Sequence, residues 1–297
     1  RGIQKSDEAI SAMDIGTELN GIIRGEVETS EKIRTKYSHD YSIFEVCPEA
    51  VVFPKDVEDV KRLVAYASSQ KQSGAHVSLT ARSAGTDMSG GPLSDSLVVE
   101  FTRHFNRIKT IGSDFAVAEP GVYFRDLEKE LSAKRLMYPS YPASKDLCAI
   151  GGIVSNNSGG EKTLAYGKTE DYVEEVKMVA ADGEEHAFKP LAGAALREKL
   201  DEPGFEGDLY RGVYRIVSEN AELLARAKPK VSKNSAGYAL WNVREGETFN
   251  MQKLIVGSQG TLGIVTEAKL KLVQMKKYRK LVAAFLPELE RLGDIIV

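Results

Sequence analysis

Only two cysteines, Cys47 and Cys148, occur in 297 residues, far apart and without a CxxC pair or a Cys/His cluster at metal-ligand spacing. Neither a structural disulfide nor a zinc site is therefore expected. No apolar run approaches the roughly 20 residues that span a bilayer, and Arg1 to Glu8 lacks the apolar core of a secretory leader. No transmembrane segment is expected; a cytoplasmic location is, with any membrane association through a partner. Net charge is scarce too, since 40 basic side chains against 43 acidic ones leave −3 at pH 7. Such a chain has no global basic field, and nucleic acid is not expected among its partners. Two nucleotide signatures are missing as well. Glu161 separates Gly160 from Lys162 where a GxxxxGK[ST] would need them adjacent, which removes the main support for ATP hydrolysis. No GxGxxG opens a helix after the first strand, and Gly257, Gly260 and Gly263 have GxxGxxG spacing between strands, so an NAD-type Rossmann domain is disfavoured.

What is present is the composition of a folded protein, 42% hydrophobic and 28% charged. The length suits one to two domains, or one large domain with two lobes. The chain opens on Arg1 rather than Met, which points to a trimmed start. Ala50 to Pro54, then Asp56, then Val57, Val60, Leu63, Val64 and Ala67 read as strand, cap and helix. His76–Thr80 and Ser96–Phe101 read as strands on either side of a Gly-rich turn, Arg82 to Gly91, and one lobe ends near Ile111. A second lobe opens with a strand at Phe115–Ala118, a turn at Pro120-Gly121 and a helix at Phe124–Leu131. Val173–Ala180 is a strand turning at Asp182-Gly183. Leu191 to Lys230 reads as charged helix interrupted at Pro203-Gly204, and Leu254–Val256 and Ile264–Val273 as strands around the turn Gly257 to Gly263. The expected boundaries are a helical lead-in at 1–40, lobes at 41–111 and 112–275, and a new apolar pattern from 276 onward.

The loop Ala81-Arg82-Ser83-Ala84-Gly85-Thr86-Asp87 lies between two predicted strands and is built mainly of small residues. Successive N–H groups turned inward make an anion site suited to phosphate, and Arg82 could add charge. The alternative is a long hairpin turn. Residues 143–160 are also small and polar, yet Ile150, Ile153 and Val154 imply packing rather than a linker.

Four segments occur in one order: Arg82-Ser83-Ala84-Gly85-Thr86; Pro142-Ala143-Ser144; Ile150-Gly151-Gly152 with Asn156-Asn157-Ser158-Gly159-Gly160; and Gly257-Ser258-Gln259-Gly260-Thr261-Leu262-Gly263-Ile264-Val265. Together with Tyr166-Gly167, Asp171, Ala181-Asp182-Gly183, Lys233-Asn234 and Gly237-Tyr238-Ala239-Leu240, this series resembles the FAD-linked oxidases of the vanillyl-alcohol oxidase (PCMH) type. It is nearest the branch that oxidises D-lactate, glycolate and D-2-hydroxyglutarate. The resemblance covers roughly Asp40 to Val273 and implies an α+β fold, a two-lobed PCMH-type FAD-binding domain followed by the truncated start of a substrate domain. FAD would lie extended between the lobes. Ala81 to Asp87 would cradle its pyrophosphate; Ala143-Ser144-Lys145-Asp146-Leu147-Cys148-Ala149, Gly152 and Asn156 to Gly159 would line flavin and ribityl chain; Gln259 to Val265 would contact it through backbone.

The chain departs from the family pattern in three places. Ser83 and Ala84 stand where glycines are commoner, and Ser258-Gln259-Gly260-Thr261 replaces the usual Ser-Glu-Gly-Thr. Members with covalent FAD place a histidine just after the loop glycine; here Thr86 stands there and none of His39, His76, His104 or His186 does, so non-covalent FAD is implied.

The resemblance further implies hydride transfer from a 2-hydroxy acid to flavin N5, and an electron acceptor such as a quinone, an electron-transfer protein or an iron–sulfur domain. The alternative is a flavin electron-transfer module whose substrate site is on another domain or chain; a non-redox scaffold ranks lowest. In this branch base, carboxylate clamp and any metal come chiefly from a following domain that this chain barely begins. No catalytic residue is therefore assigned, no metal ligands are expected, and the chain alone is expected to be nearly inactive. Among single residues, Cys148 beside the flavin is more simply a packed thiol than a redox group. Lys233-Asn234 is either a substrate anchor or a solvated loop, and Tyr166 and Tyr238 are either hydrogen-bond donors in the site or packing groups.

Overall fold

The computed structural model describes residues 12–231, 234–278, 280–290 and 292–295. The first sheet has four strands, in the order Glu26–Glu28, Ala50–Phe53, Leu97–Glu100, Leu79–Arg82. The last three run parallel. A parallel return needs a crossover, which the helix Val57–Gln72 supplies, and every side chain of Ala50–Phe53 is buried as a covered sheet requires. Asp56 caps that helix, accepting from the Asp59 N–H. Asp59 is itself buried and accepts the N–H groups of Arg24, Gly25 and Lys55, which ties the segment before Ala50 to the helix. Val60, Leu63 and Tyr66 pack with Val52, Leu97 and Val99 in the first core. The expected lead-in at 1–40 thus includes the edge strand of this sheet.

The second sheet is antiparallel, in the order Ile108–Ile111, Phe115–Ala118, Ile264–Lys271, Val173–Val179, Glu185–Phe188. Its central strand, Ile264–Lys271, pairs with Phe115–Ala118 from far upstream, so this lobe closes only when distant segments meet. The helices Phe124–Ala133 and Ile150–Ser155 pack into its core through Phe124, Leu127, Leu131, Ile150, Ile153 and Val154. Val179 and Ile264, at one end of this sheet, are buried in the first lobe's core and lock the two lobes together.

Several elements differ from the sequence reading. The strand Ile108–Ile111, expected to close the first lobe, is instead the edge strand of the second sheet, paired with Phe115–Ala118. The strand expected at 76–80 runs Leu79–Arg82 instead, because parallel pairing sets Leu79 opposite Leu97 and Arg82 opposite Glu100. Of Leu254–Val256, expected as strand, Leu254 and Ile255 belong to the helical turn Gln252–Ile255 and Val256 follows it; three apolar residues carry no period, and Leu254 and Ile255 are both buried. The charged stretch forms helices Gly193–Asp201, Phe205–Glu219 and Ala221–Ala227 with a break at Pro203-Gly204, while Pro190–Ala192 pairs with Thr248–Asn250. Beyond 276 the described side chains of Leu281, Val282 and Phe285 are exposed.

Candidate functional site

A cavity of about 590 Å³ opens between the lobes, and the loops at the ends of strands and helices form its walls. From the first lobe come Ala81 at the end of Leu79–Arg82 and the turn Ser83, Ala84, Gly85, Thr86 and Asp87. Gly85 has φ +67°, a conformation that disfavours a side chain, and a Cβ there would lie 2.4 Å from Arg82 Nη2 and displace that guanidinium. None of the N–H groups of Ser83, Ala84, Gly85 or Thr86 donates to another backbone group among the described residues. The Asp87 carboxylate accepts from Met88 N (2.9 Å), Gly91 N (2.8 Å) and the Ser89 hydroxyl, so its charge is spent on folding the next turn.

Arg82 departs from expectation. Its guanidinium donates to the carbonyls of Tyr37 (3.2 Å) and His39 (2.7 Å), lies over the Tyr37 ring and is buried, so it does not line the cleft. Burial lowers its pKa, only partly offset by Tyr37, Asp40 and Glu100. The charge braces the loop from behind instead of facing an anion.

The second lobe contributes Ala143, Ser144, Cys148, Ala149, Gly152, Asn156 and Ser158, and the Gly-rich turn contributes Gln259, Gly260, Gly263 and Val265. The lobes touch where Ser83 of the first lobe meets Gly151, in the helix Ile150–Ser155, and Pro120, both of the second. A Cβ at 151 would lie 2.4 Å from Ser83 Oγ and 2.7 Å from Pro120 Cβ. Ser83 Oγ also donates to Pro120 O at 3.1 Å.

Other expected residues face elsewhere, each for a visible reason. Lys145 pairs with Glu128 at 3.0 Å, the Asp146 carbonyl accepts from Arg125, and Leu147 is exposed. Asn157, at φ +47°, turns inward and accepts from Glu170 N at 2.9 Å. Gly159 packs on Thr163 and Lys168. Thr261 Oγ1 donates to Ser258 O at 2.6 Å, Leu262 packs on the second core, and Ile264 is buried in the first. None of these nine, Arg82 included, lines the cavity.

The lining residues that sequence reasoning did not assign include Tyr41, Met88, Phe101, Pro120, Gly151 and Ser155. Gly151 and Pro120 stood inside quoted motifs and could have been found; Tyr41, in an irregular connection, carried no pattern. Cys148 is buried in the wall, and burial pushes its thiol up to about 11, so it stays protonated at neutral pH. Tyr238 hydrogen-bonds Thr261 Oγ1 at 2.7 Å and Tyr166 packs against the second core. Lys233 lies outside the described residues, and the neighbouring Asn234 carbonyl accepts from the Lys168 ammonium. Among the described residues no group of His, Cys, Asp and Glu could hold a metal ion, and no helix is long and apolar enough to cross a membrane.

Residues 48–189 match the family described as an FAD binding domain. The chain is 32% identical over 266 residues to D-2-hydroxyglutarate dehydrogenase of Pseudomonas putida, a match covering 89% of this chain and 26% of that protein. It is 30% identical over 263 residues to the D-2-hydroxyglutarate dehydrogenase of Escherichia coli (87% and 26%) and 29% identical over 268 residues to glycolate oxidase subunit GlcD of Bacillus subtilis (89% and 45%). The chain therefore spans less than half the length of these relatives. Among solved structures, alkyldihydroxyacetonephosphate synthase superposes with a TM-score of 0.61 at 18% identity, over 93% of this chain and 43% of that one. For 6-hydroxy-D-nicotine oxidase from Arthrobacter nicotinovorans the values are 0.56, 19%, 85% and 43%. At such identities the likeness shows the fold. Two lobes about a shared cleft, the matched domain and these relatives agree: the chain carries an FAD-binding domain and is similar over most of its length to D-2-hydroxyglutarate dehydrogenases, a D-lactate dehydrogenase and a glycolate oxidase subunit.

Proposed function

We propose that this chain is the flavin module of an enzyme that oxidises a small 2-hydroxy acid, with D-2-hydroxyglutarate, D-lactate and glycolate as candidate substrates, and that FAD occupies the cleft between the lobes without a covalent link. The observation that carries this reading is the cleft wall itself. Four consecutive backbone N–H groups, Ser83 to Thr86, have no backbone acceptor among the described residues, in a turn with no side chain bulkier than threonine, which fits a pyrophosphate. Opposite them, Ala143, Ser144, Ala149 and Gly152 present small side chains against which a flat ring system can lie.

When bound, FAD supplies the two-electron acceptor for the carbon–hydrogen bond of the hydroxy acid. The chain's own part is to bind, orient and exclude water. Tyr41, Asp87 and Cys148 are the ionisable side chains among the described lining residues, and none is a cation that could hold a substrate carboxylate. Carboxylate binding and removal of the hydroxyl proton fall to groups outside this cleft lining, and reoxidation falls to a separate electron acceptor.

Titration of FAD into the flavin-free protein tests the reading. Saturable one-to-one quenching of flavin fluorescence supports it; no binding to the folded protein overturns it. Acid precipitation of the loaded protein then releases flavin into the supernatant if Thr86 marks a non-covalent site, whereas flavin held in the pellet shows a covalent one. Anaerobic bleaching by each acid in turn ranks the substrates.

A further inference from the structure

The cleft wall carries a chain of side-chain hydrogen bonds whose direction is chemically informative. Gln259 Nε2 donates to Asn156 Oδ1 at 3.1 Å, and Asn156 Nδ2 donates to Ser158 Oγ at 3.1 Å. All three residues line the cavity. Ser158 is buried, and its carbonyl accepts from Ser140 Oγ at 3.0 Å and Thr169 Oγ1 at 2.8 Å, so its position is fixed from behind. Its hydroxyl oxygen is occupied by Asn156, but its own O–H donates to no acceptor among the described residues. At the other end Gln259 adopts φ +56°, a conformation that costs a residue with a side chain about 1–2 kcal/mol, and its N–H donates to Ser155 O at 2.9 Å. The strained backbone sets the amide over Asn156.

The geometry points to Gln259 as a positioning residue that sets the direction of this relay, so that Ser158 keeps its hydroxyl hydrogen for the cleft and donates it to an oxygen or nitrogen acceptor of the bound cofactor. This rests on the FAD reading above. Because Gln259 gives an N–H to Asn156, the Asn156 oxygen is occupied and its NH₂ turns onto Ser158, which is left with a proton to give. An ionised carboxylate at 259 can only accept. Asn156 would then turn its NH₂ toward position 259, its oxygen would take the Ser158 proton, and the cleft would meet only a lone pair. A protonated carboxyl, which still has an O–H, restores the original direction. A ligand filling the cleft also displaces the water that competes with these bonds.

Replacing Gln259 by Glu therefore makes the relay titratable. Other charged or ionisable groups near it are Asp87, whose Oδ2 faces the same space beside Gly91 as Gln259 Oε1; Tyr41, in the lining; Cys148, whose thiol stays protonated; Tyr238, bonded to Thr261; and Lys168, paired with Glu170 at 3.1 Å behind the Ser158 turn. All are present in both proteins, so the difference between them isolates the new carboxyl. The experiment measures the FAD dissociation constant of wild type and Gln259→Glu from about pH 4 to about pH 7, an interval spanning an ordinary glutamate carboxyl. The variant is expected to match wild type at the acid end and to bind about threefold to tenfold more weakly once ionised, the size of one lost hydrogen bond. Repulsion between the new carboxylate and the cofactor's phosphates would give a similar trend, so Ser158→Ala and the double variant are measured alongside. With the Ser158 donor gone, Gln259→Glu should add no further pH-dependent loss. A loss that persists in the Ser158→Ala background, or no pH-dependent loss at all, overturns the relay. Wild-type protein that binds no FAD brings down the functional reading and this inference together, whereas wild-type binding with either of those outcomes brings down the relay alone.

Discussion

The two lobes face one cleft with different material. The first, a mainly parallel sheet, offers main chain: its strand Leu79–Arg82 ends in a turn where Gly85 sits at a φ that disfavours a side chain and where the Ser83 to Thr86 N–H groups have no backbone acceptor among the described residues. The second, an antiparallel sheet with the helix Ile150–Ser155 packed on it, offers side chains, among them Ser144, Asn156, Ser158 and Gln259. Backbone donors recognise an anion of any identity, while side-chain donors and acceptors can be tuned residue by residue. The comparison assigns shape and charge tolerance to one wall and adjustable polarity to the other.

The sharpest way to break that division is Gly85→Glu. The new side chain combines an unfavourable φ of +67°, a Cβ placed 2.4 Å from the Arg82 guanidinium, and a negative charge where phosphate is proposed to sit. FAD retention should be lost outright, read as the flavin-to-protein ratio after gel filtration. Full occupancy in a mutant with unchanged circular dichroism would move the phosphate to the other wall.

Arg82→Met asks whether the guanidinium belongs to the fold or to the ligand. Two carbonyls, those of Tyr37 and His39, lose a charged donor, so unfolding stability should fall by about 2–4 kcal/mol in a urea melt. Because the group faces away from the cleft, the salt dependence of FAD affinity should be unchanged. A flatter salt dependence would show that Arg82 does reach the phosphates.

Gly151→Ala tests the contact between the walls. The added methyl would press on Ser83 Oγ and on Pro120, and overpacking of this kind costs about 1–3 kcal/mol. Ser83→Ala removes one of the two obstacles, so the double variant should recover part of the loss. Simple additivity of the two losses would mean that the strain is relieved somewhere other than this contact.

Much of this arrangement was legible in the residues, and what was not has a physical reason. Phe115–Ala118 has the same ends in both readings because its apolar core is closed off by Asp114 and by Pro120-Gly121. The small-residue loops stood out because backbone that must approach another surface closely can carry only small side chains. The direction of Arg82 was hidden: nothing local says that Tyr37 and His39 lie behind the loop, a contact more than forty positions away in the chain. The same holds for Ile264–Lys271, whose place between Phe115–Ala118 and Val173–Val179 is a long-range pairing, and for Leu254–Ile255, where burial on both sides leaves no period to read.

The smallest effect is expected far from the cleft, at the outer edge of the antiparallel sheet. His186 Nε2 faces Asp182 Oδ2 at 2.9 Å and its Nδ1 faces Glu206 Oε2 at 3.1 Å, joining the Glu185–Phe188 strand to the helix Phe205–Glu219. Burial lowers the His186 pKa, but hydrogen bonds and attraction from the two carboxylates outweigh it and leave the pKa raised above 6.5. Protons bound more tightly in the folded state stabilise it, so this contribution is complete below pH 6.5 and is lost as pH rises through the raised value. Glu206 runs the other way: burial raises its pKa, the bonds from Lys199 and His186 lower it by more, and its contribution is lost only as pH falls below 4.5 through the lowered value. Between these limits the His186 and Glu206 contributions are both present. His186→Gln should therefore lower the melting temperature most near pH 6 and progressively less toward pH 8, by an amount worth no more than about 1 kcal/mol for a pair near the surface. FAD affinity should not follow, because His186 is absent from the cleft lining. A parallel pH-dependent change in flavin binding would show that the edge of the second lobe and its cleft wall are coupled, and would end the separation of the walls from the sheets that carry them.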